Sequence, residues 1–232
     1  MKLLVSDYDL TFNVLNYEVW FNVKAIDKFM KNGNKFFLNT GRCLESIKRE
    51  VSKYNINYDY LGCNDGNLVL NRNNDILFCS NLSINISNEL ESLKNDYDFD
   101  VNLFKFQDNI LEYEIKILPN LSFDSLLKTF ALNNGLCLKR FDISRIVNGK
   151  LVKMWVYYLY DEKVNKASAT DLVGKLENVE KCDIFTIGDN LNDLEMIRDY
   201  NGYTFPWGRK EVKEVSDGQV LSVKGLVKKI SR

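Results

Sequence analysis

The strongest constraint in this sequence is a rhythm. Short, mainly apolar runs stop abruptly at polar residues, and a helical pattern follows each. Leu3-Leu4-Val5 stops at Asp7 and Asp9, Phe36-Phe37-Leu38 at Asn39-Thr40-Gly41-Arg42, and Ile184-Phe185-Thr186-Ile187 at Gly188-Asp189-Asn190. Strands buried on both faces read as continuous apolar runs, and helices between them imply parallel pairing. The expectation is an α/β chain, doubly wound around a mainly parallel, Rossmann-like sheet.

Local signals fill in the elements. Asn16 can cap a helix carrying Val19, Val23, Ile26 and Met30 on one face, and Gly33 can end it. Leu44, Ile47 and Val51 mark a second helix, and Tyr60-Leu61-Gly62-Cys63 a third strand ending at Asn64-Asp65-Gly66. Residues 67–160 break the rhythm. Leu68-Val69-Leu70 and Ile76-Leu77-Phe78 flank an Asn-rich turn, as in a hairpin. Helices are expected over residues 84–93 and 121–133, and a strand with one wet face over 112–118. A second hairpin, residues 143–147 with 152–158, is expected to turn at Asn148-Gly149. This is an inserted α+β segment, so the core is expected to be residues 1–66 and 161–232. In the second core segment, helices are expected over 166–176 and 192–200, then a strand near 202–205 and a C-terminal helix.

Composition excludes several functions. The 232 residues contain no histidine, so histidine acid–base catalysis and the Ser-His-Asp and Cys-His arrangements are ruled out. The five cysteines never form a CxxC pair and read as reduced thiols in or near the core. A net charge of −1 without a basic block argues against nucleic acid. No stretch approaches the roughly 18 apolar residues of a membrane span, and the apolar N-terminal run is too short for a signal peptide. The expected setting is cytoplasmic, with no membrane partner.

Ligands bind at the carboxyl ends of strands in open α/β sheets. There the sequence places Asp7, Asp9 and Thr11, then Thr40, Gly41 and Arg42, then Asp189, Asn192 and Asp193, with Lys166 at a helix start. Clustered carboxylates repel one another unless a cation joins them. Oxygen donors without histidine or thiolate suit a hard ion, Mg2+ above all. Hydroxyl, ammonium and helix-start N–H groups suit a phosphate. Together these describe phosphoryl transfer through an aspartyl-phosphate, one aspartate attacking and the other handling protons. Each fragment alone has a plainer reading: a solvated turn, a helix start or a surface lysine. The ordered set carries the inference.

Asp7-Tyr8-Asp9-Leu10-Thr11, Thr40-Gly41-Arg42, Lys166 and Gly188-Asp189-Asn190-Leu191-Asn192-Asp193 resemble the four motifs of the haloacid dehalogenase superfamily of phosphatases. The long insert resembles the type-C2 cap of its Cof-like sugar phosphatases (class IIB), and the tail Ser216 to Ile230 resembles the end of that subclass. The resemblance implies an Mg2+-dependent phosphomonoesterase acting on a small, sugar-like phosphorylated metabolite, as a monomer or homodimer. It implies Asp7 as nucleophile and metal ligand. Asp9 would be the acid and base, with its carbonyl on the metal, and Asp189 would complete the metal site. Thr11, Thr40, Gly41, Lys166 and Asn192 would surround the phosphoryl group, Arg42 would face the substrate, and Asp193 would act from behind the metal ligands.

Two positions depart from the pattern. Leu10 stands where the family usually has glycine, and could distort the turn or narrow the pocket. Asp65 interrupts a loop that more often reads Asn-Gly. Two other functions fit the same residues. One is a phosphohexomutase of the same superfamily. The other is a catalytically idle phosphate-binding or regulatory protein, such as a phospho-acceptor receiver domain. In the insert, Lys105, Lys139, Arg140, Arg145 and Lys153 read as solvated charges or leaving-group contacts, and Tyr113, Trp155 and Tyr157 as sheet packing.

Overall fold

A computed structural model describes residues 1–16, 18–147 and 149–231, with no description of the Val147 side chain. The chain divides into two compact units, Met1–Phe78 with Val164–Arg232, and Cys79–Lys163.

The first unit opens with β1 (Leu3–Ser6), α1 (Val19–Lys31), β2 (Lys35–Asn39), α2 (Leu44–Tyr54), β3 (Tyr60–Cys63), β4 (Leu68–Asn71) and β5 (Ile76–Cys79). The second contains α3 (Ile84–Leu93), β6 (Phe99–Phe106), β7 (Asn109–Ile117), α4 (Leu121–Asn133), β8 (Leu136–Val147) and β9 (Lys150–Asp161). The chain returns to the first unit with α5 (Lys166–Leu176), β10 (Ile184–Ile187), α6 (Leu194–Asp199), β11 (Asn201–Thr204), α7 (Lys210–Val215), β12 (Gly218–Gln219) and α8 (Val223–Ile230).

The large sheet runs β12-β11-β10-β1-β2-β3-β4-β5. Pairing from β12 to β3 is parallel, and β3 with β4 is antiparallel. Every residue of β1 is buried, as the continuous apolar run requires. Leu3 and Val5 join Phe37, Val173, Met196, Ile197 and Val212 in one core cluster, drawing in α5, α6 and α7. Leu4 registers with Phe36, whose ring lies 5.8 Å from that of Phe12. α1 and α8 pack against each other, fastened by Asn22, which donates to Phe12 O and accepts from Lys224 N. β1 lies between β2 and β10, so the chain winds outward in opposite directions from this point. Asp7 and Asp189 follow β1 and β10 at this switch, where such sheets bind ligands.

The second unit is a four-stranded antiparallel sheet in the order β6-β7-β9-β8. Its core gathers Ile86, Leu90, Tyr113, Phe123, Leu127 and Tyr157 from α3, α4 and the sheet. Among the described residues, no helix is long and apolar enough to cross a membrane.

Several expectations change. The hairpin of β4 and β5 extends the large sheet rather than opening the insert, because Leu68 to Leu70 are buried and β4 pairs directly with β3. Asn16 does not cap α1. Its side chain accepts from the Tyr54 hydroxyl at 3.0 Å, and the helix begins after Glu18 without a side-chain cap. The sequence reading missed β6, where Phe99, Val101 and Leu103 alternate with Asp100 and Asn102 until a bulge between Phe104 and Lys105 shifts the pattern. The second hairpin is longer than expected, and Asn148 of its turn lies outside the described residues. The face of β7 expected to be wet is covered at Glu114, which Asn102, Lys116 and Tyr158 hold by hydrogen bonds. Tyr113 and Tyr157 are fully buried packing residues, whereas Cys182 is exposed.

The turn after β1 forms despite Leu10. Leu10 N donates to Asn13 O at 3.1 Å, and Asn13 N donates to Tyr8 O at 2.8 Å. This geometry forces φ to +57° at Leu10, whose side chain is 55% exposed. A left-handed leucine costs about 1–2 kcal/mol, partly offset by the roughly 0.5–1 kcal/mol entropic advantage over glycine. Leu10→Gly is therefore expected to stabilise the protein by about 0.5–1 kcal/mol, read as a higher urea midpoint. A lower midpoint would show that the leucine contributes more by packing than it loses in strain.

Candidate active site

Four strand or helix ends converge on one ammonium. Asp7 directly follows β1, and its N–H donates to Ile187 O of β10 at 3.0 Å. Lys166 is the first residue of α5, a helix capped by Asn165. Its Nζ is fully buried, donating to Asp7 Oδ1 at 2.6 Å and Asp193 Oδ1 at 2.7 Å, with Asp65 Oδ1 at 3.9 Å. Asp193 is held from its other oxygen by the N–H groups of Asp189 and Asn190, at 3.0 and 3.1 Å. Gly188 is needed here, since a Cβ would lie 2.4 Å from Asp193 Cγ.

Asp189 is buried after β10 and accepts from the Thr11 hydroxyl at 2.9 Å. Asp7, Asp189 and Asp193 each offer an oxygen within 4.8 Å of the others, a spacing that could hold a metal ion. The donors are hard oxygens, as Mg2+ requires. The occupied lone pairs sort the three. Asp193 spends both oxygens on Lys166 and the two amides, whereas among the described residues Asp7 and Asp189 each engage only Oδ1.

Charge agrees with that reading. Asp7, Asp65, Asp189 and Asp193 face the single ammonium of Lys166. Burial alone would strip the proton from Lys166, but Asp193, Asp7 and Asp65 outweigh it and hold the ammonium charged. Burial raises the Asp7 carboxyl well above its ordinary range. Lys166 opposes that rise, and Asp193 and Asp189 add to it. Asp189 is pushed up to about 6, chiefly by burial, with Thr11 pulling down and Asp193 pushing up. Surplus buried negative charge of this kind is what a divalent cation would relieve.

The remaining expected residues lie on the same edge. Arg42 grips Asp9 with a two-point fork, Nη2 to Oδ1 at 2.6 Å and Nε to Oδ2 at 2.8 Å. Its guanidinium also lies 5.0 Å from the Tyr8 ring centroid. The Asp9 side chain is half exposed. Thr40 is buried after β2, and its hydroxyl accepts from Arg42 N at 3.2 Å. Gly41 faces Asp65 and Asn192, and Asn192 Nδ2 donates to Asp65 Oδ1 at 2.8 Å. Thr11 is thus seen holding Asp189, and Arg42 holding Asp9.

Sequence reasoning missed two participants. Asp65 projects among Lys166, Asn192 and Gly41 from a loop where Asn64, Asp65 and Gly66 all have positive φ. The signal was its intrusion into the expected Asn-Gly pair. Asn39, fully buried at the end of β2, donates from Nδ2 to Lys166 O at 3.0 Å and so anchors the start of α5. Its Oδ1 is buried without a hydrogen-bond partner among the described residues. A polar residue closing an apolar strand was the only hint of it.

The sequence matches the profile of the haloacid dehalogenase-like hydrolases over residues 5–134 and 139–224, and the chain belongs to that family. No curated protein matches it. The fold is shared with solved structures at low identity. BT1666 from Bacteroides thetaiotaomicron, from a study of phosphatases of this superfamily, is 16% identical with a TM-score of 0.75, covering 100% of this chain and 94% of that one. A haloacid dehalogenase-like hydrolase from B. subtilis is 13% identical with a TM-score of 0.73, covering 100% and 99%. The subclass IIB sugar phosphatase BT4131 is 12% identical with a TM-score of 0.70, covering 100% and 98%.

Lys166→Met should destabilise the protein by about 3–5 kcal/mol, because Asp7 and Asp193 would be left buried without their cation. Thermal or urea unfolding checks this. A loss below about 1 kcal/mol would mean that solvent already screens the pair. Asp189 gives a pH signature. Its folded value of about 6 lies above the ordinary 3.8, so the folded state holds the proton more tightly. In EDTA, the wild type should therefore lose stability relative to Asp189→Asn as pH rises from about 4 to about 6. Adding Mg2+ should reverse the loss in the wild type alone. A pH-independent difference between the two proteins would contradict the assignment.

Proposed function

We propose that this hydrolase is an Mg2+-dependent phosphomonoesterase acting on a small, sugar-like phosphorylated metabolite through an aspartyl-phosphate. The observation that carries the reading is the buried Lys166 ammonium. It holds Asp7 at the mouth of the sheet's switch point, beside the acidic oxygens of Asp189 and Asp193. The likeness in fold to phosphatases, including a sugar phosphatase, supports the substrate class.

Asp7 is the nucleophile in this reading. One of its carboxylate oxygens forms a bond to phosphorus as the bond to the leaving alkoxide breaks. Lys166 fixes the Asp7 rotamer and offsets charge between two anions that must meet. Asp9 gives its proton to the alkoxide and then takes one from the water that attacks phosphorus, returning Asp7 as a free carboxylate with release of inorganic phosphate. Its half-exposed side chain must loosen the Arg42 fork to do so, which makes Arg42 a candidate for sensing the leaving group. Thr40, Gly41 and Asn192 complete the phosphoryl cradle, and Thr11 aligns Asp189. Asp7, Asp189 and the Asp9 carbonyl would hold Mg2+, with Asp193 positioning Asp189 and Lys166. When bound, the ion supplies positive charge to the developing phosphoryl oxyanions. The inserted unit serves as the cap that reads the leaving group, and the protein works in the cytoplasm as a monomer or homodimer.

The test is phosphate release from p-nitrophenyl phosphate and a panel of sugar phosphates. Asp7→Asn should lower kcat by at least about 10³-fold with the fold intact, and EDTA should abolish wild-type turnover. Retained turnover in a clean Asp7→Asn preparation would sink the reading. Sugar phosphates isomerised without phosphate release would instead point to the mutase.

A further inference from the structure

Asp65 is a charged side chain at the site for which the catalytic scheme has no use. Its Oδ1 accepts from Asn192 Nδ2 at 2.8 Å, lies 3.9 Å from Lys166 Nζ, and sits 3.0 Å from where a Cβ on Gly41 would be. Asn192, Lys166 and Gly41 are three of the groups assigned above to the phosphoryl group. One carboxylate oxygen therefore stands where these groups converge, as an oxygen of a bound phosphate would.

The backbone holds it there. Asp65 N donates to Thr40 O at 3.0 Å, and φ at Asp65 is +55°. Aspartate and asparagine tolerate this conformation better than most side chains. The side chain is largely buried, with 22% exposure, so the carboxylate is only weakly screened where it faces Lys166.

We propose that Asp65 is a built-in competitor for the phosphoryl position, a claim that rests on the phosphatase reading for what the site binds. An incoming phosphate must draw the Asn192 amide away from Asp65, and the carboxylate returns to it when phosphate departs. Two like charges cannot share the same donors without a large penalty, so the residue lowers affinity for the phosphate dianion and speeds loss of the product. It thereby limits product inhibition at a site whose lysine and metal would otherwise hold inorganic phosphate tightly.

Binding of inorganic phosphate in Mg2+ buffer at fixed ionic strength tests this without requiring turnover. Calorimetry on wild type, Asp65→Asn and Asp65→Gly should show phosphate binding at least about tenfold tighter in both variants, with a matching fall in its inhibition constant against p-nitrophenyl phosphate. Both replacements accept positive φ, so both should fold. In the wild type, saturating phosphate should shift the Asn192 side-chain amide resonances. Unchanged or weaker phosphate binding in the variants, or an unmoved Asn192 amide, would overturn the proposal. Tighter binding in a protein that hydrolyses no ester would sustain it and defeat the phosphatase reading. Hydrolysis with unaltered phosphate affinity would do the reverse.

Discussion

The site depends on the contact between the Lys166 ammonium and the carboxylates of Asp7 and Asp193. A fully buried lysine is tolerable only when charges of opposite sign replace its water. Here they come from distant parts of the chain: the end of β1, the helical turn after β10, and the loop after β3. Lys166 therefore ties together segments that are far apart in sequence and adjacent only in the folded sheet. In the proposed reaction the same contact orients the nucleophile. A structural demand and a chemical one are met by one side chain.

The large sheet is what makes that convergence possible. β1 can carry Asp7 into the middle of the molecule because α1 and α8 pack together, and α5, α6 and α7 join the opposite cluster with Leu3 and Val5. The winding reverses between β1 and β10, and the acidic residues Asp7 and Asp189 follow these two neighbouring strands. Polar groups at this edge support one another in a chain. Thr11 holds Asp189, the Asp189 and Asn190 amides hold Asp193, Asp193 holds Lys166, and Asn39 holds the carbonyl of Lys166. Each link fixes a group that the proposed chemistry uses, and such satisfied networks keep geometry tight.

Much of this was legible in the sequence, for a physical reason. A strand buried on both faces must be apolar, so the residue that breaks the run stands at the strand end, where such sheets bind ligands. Asp7, Thr40 and Asp189 were readable in that way, and the lysine opening α5 was readable once the others were in place. What was lost had weaker one-dimensional signals. β6 alternates over only five residues, Phe99 to Leu103, before a bulge between Phe104 and Lys105 shifts its period. The hairpin of β4 and β5 looked like the start of the insert because a turn-rich segment breaks the strand–helix alternation whichever sheet its strands join. Asn16 matched a capping pattern, but Tyr54 claimed its side chain, a contact across 38 positions that no local rule contains.

Some of the strain and unsatisfied polarity lies at the same edge. Leu10, Asn64 and Asp65 are three of the seven described non-glycine residues with positive φ, and the buried Asn39 oxygen lacks a hydrogen-bond partner among the described residues. Such features persist only where the surrounding structure over-determines them. Leu10 shows how: its turn is closed by two backbone hydrogen bonds, and its carbonyl accepts from Trp207 Nε1 at 3.1 Å, so the rigid edge imposes a conformation that leucine disfavours. The Asn64-Asp65-Gly66 loop is held in the same manner. A Cβ on Gly66 would lie 2.6 Å from Asn165 O, the residue that caps α5. Close packing of that loop against the start of the lysine's helix leaves Asp65 few directions in which to point. The carboxylate among the proposed phosphoryl donors is thus a consequence of how tightly the loop is seated, and removing its charge changes the site without asking the backbone to move.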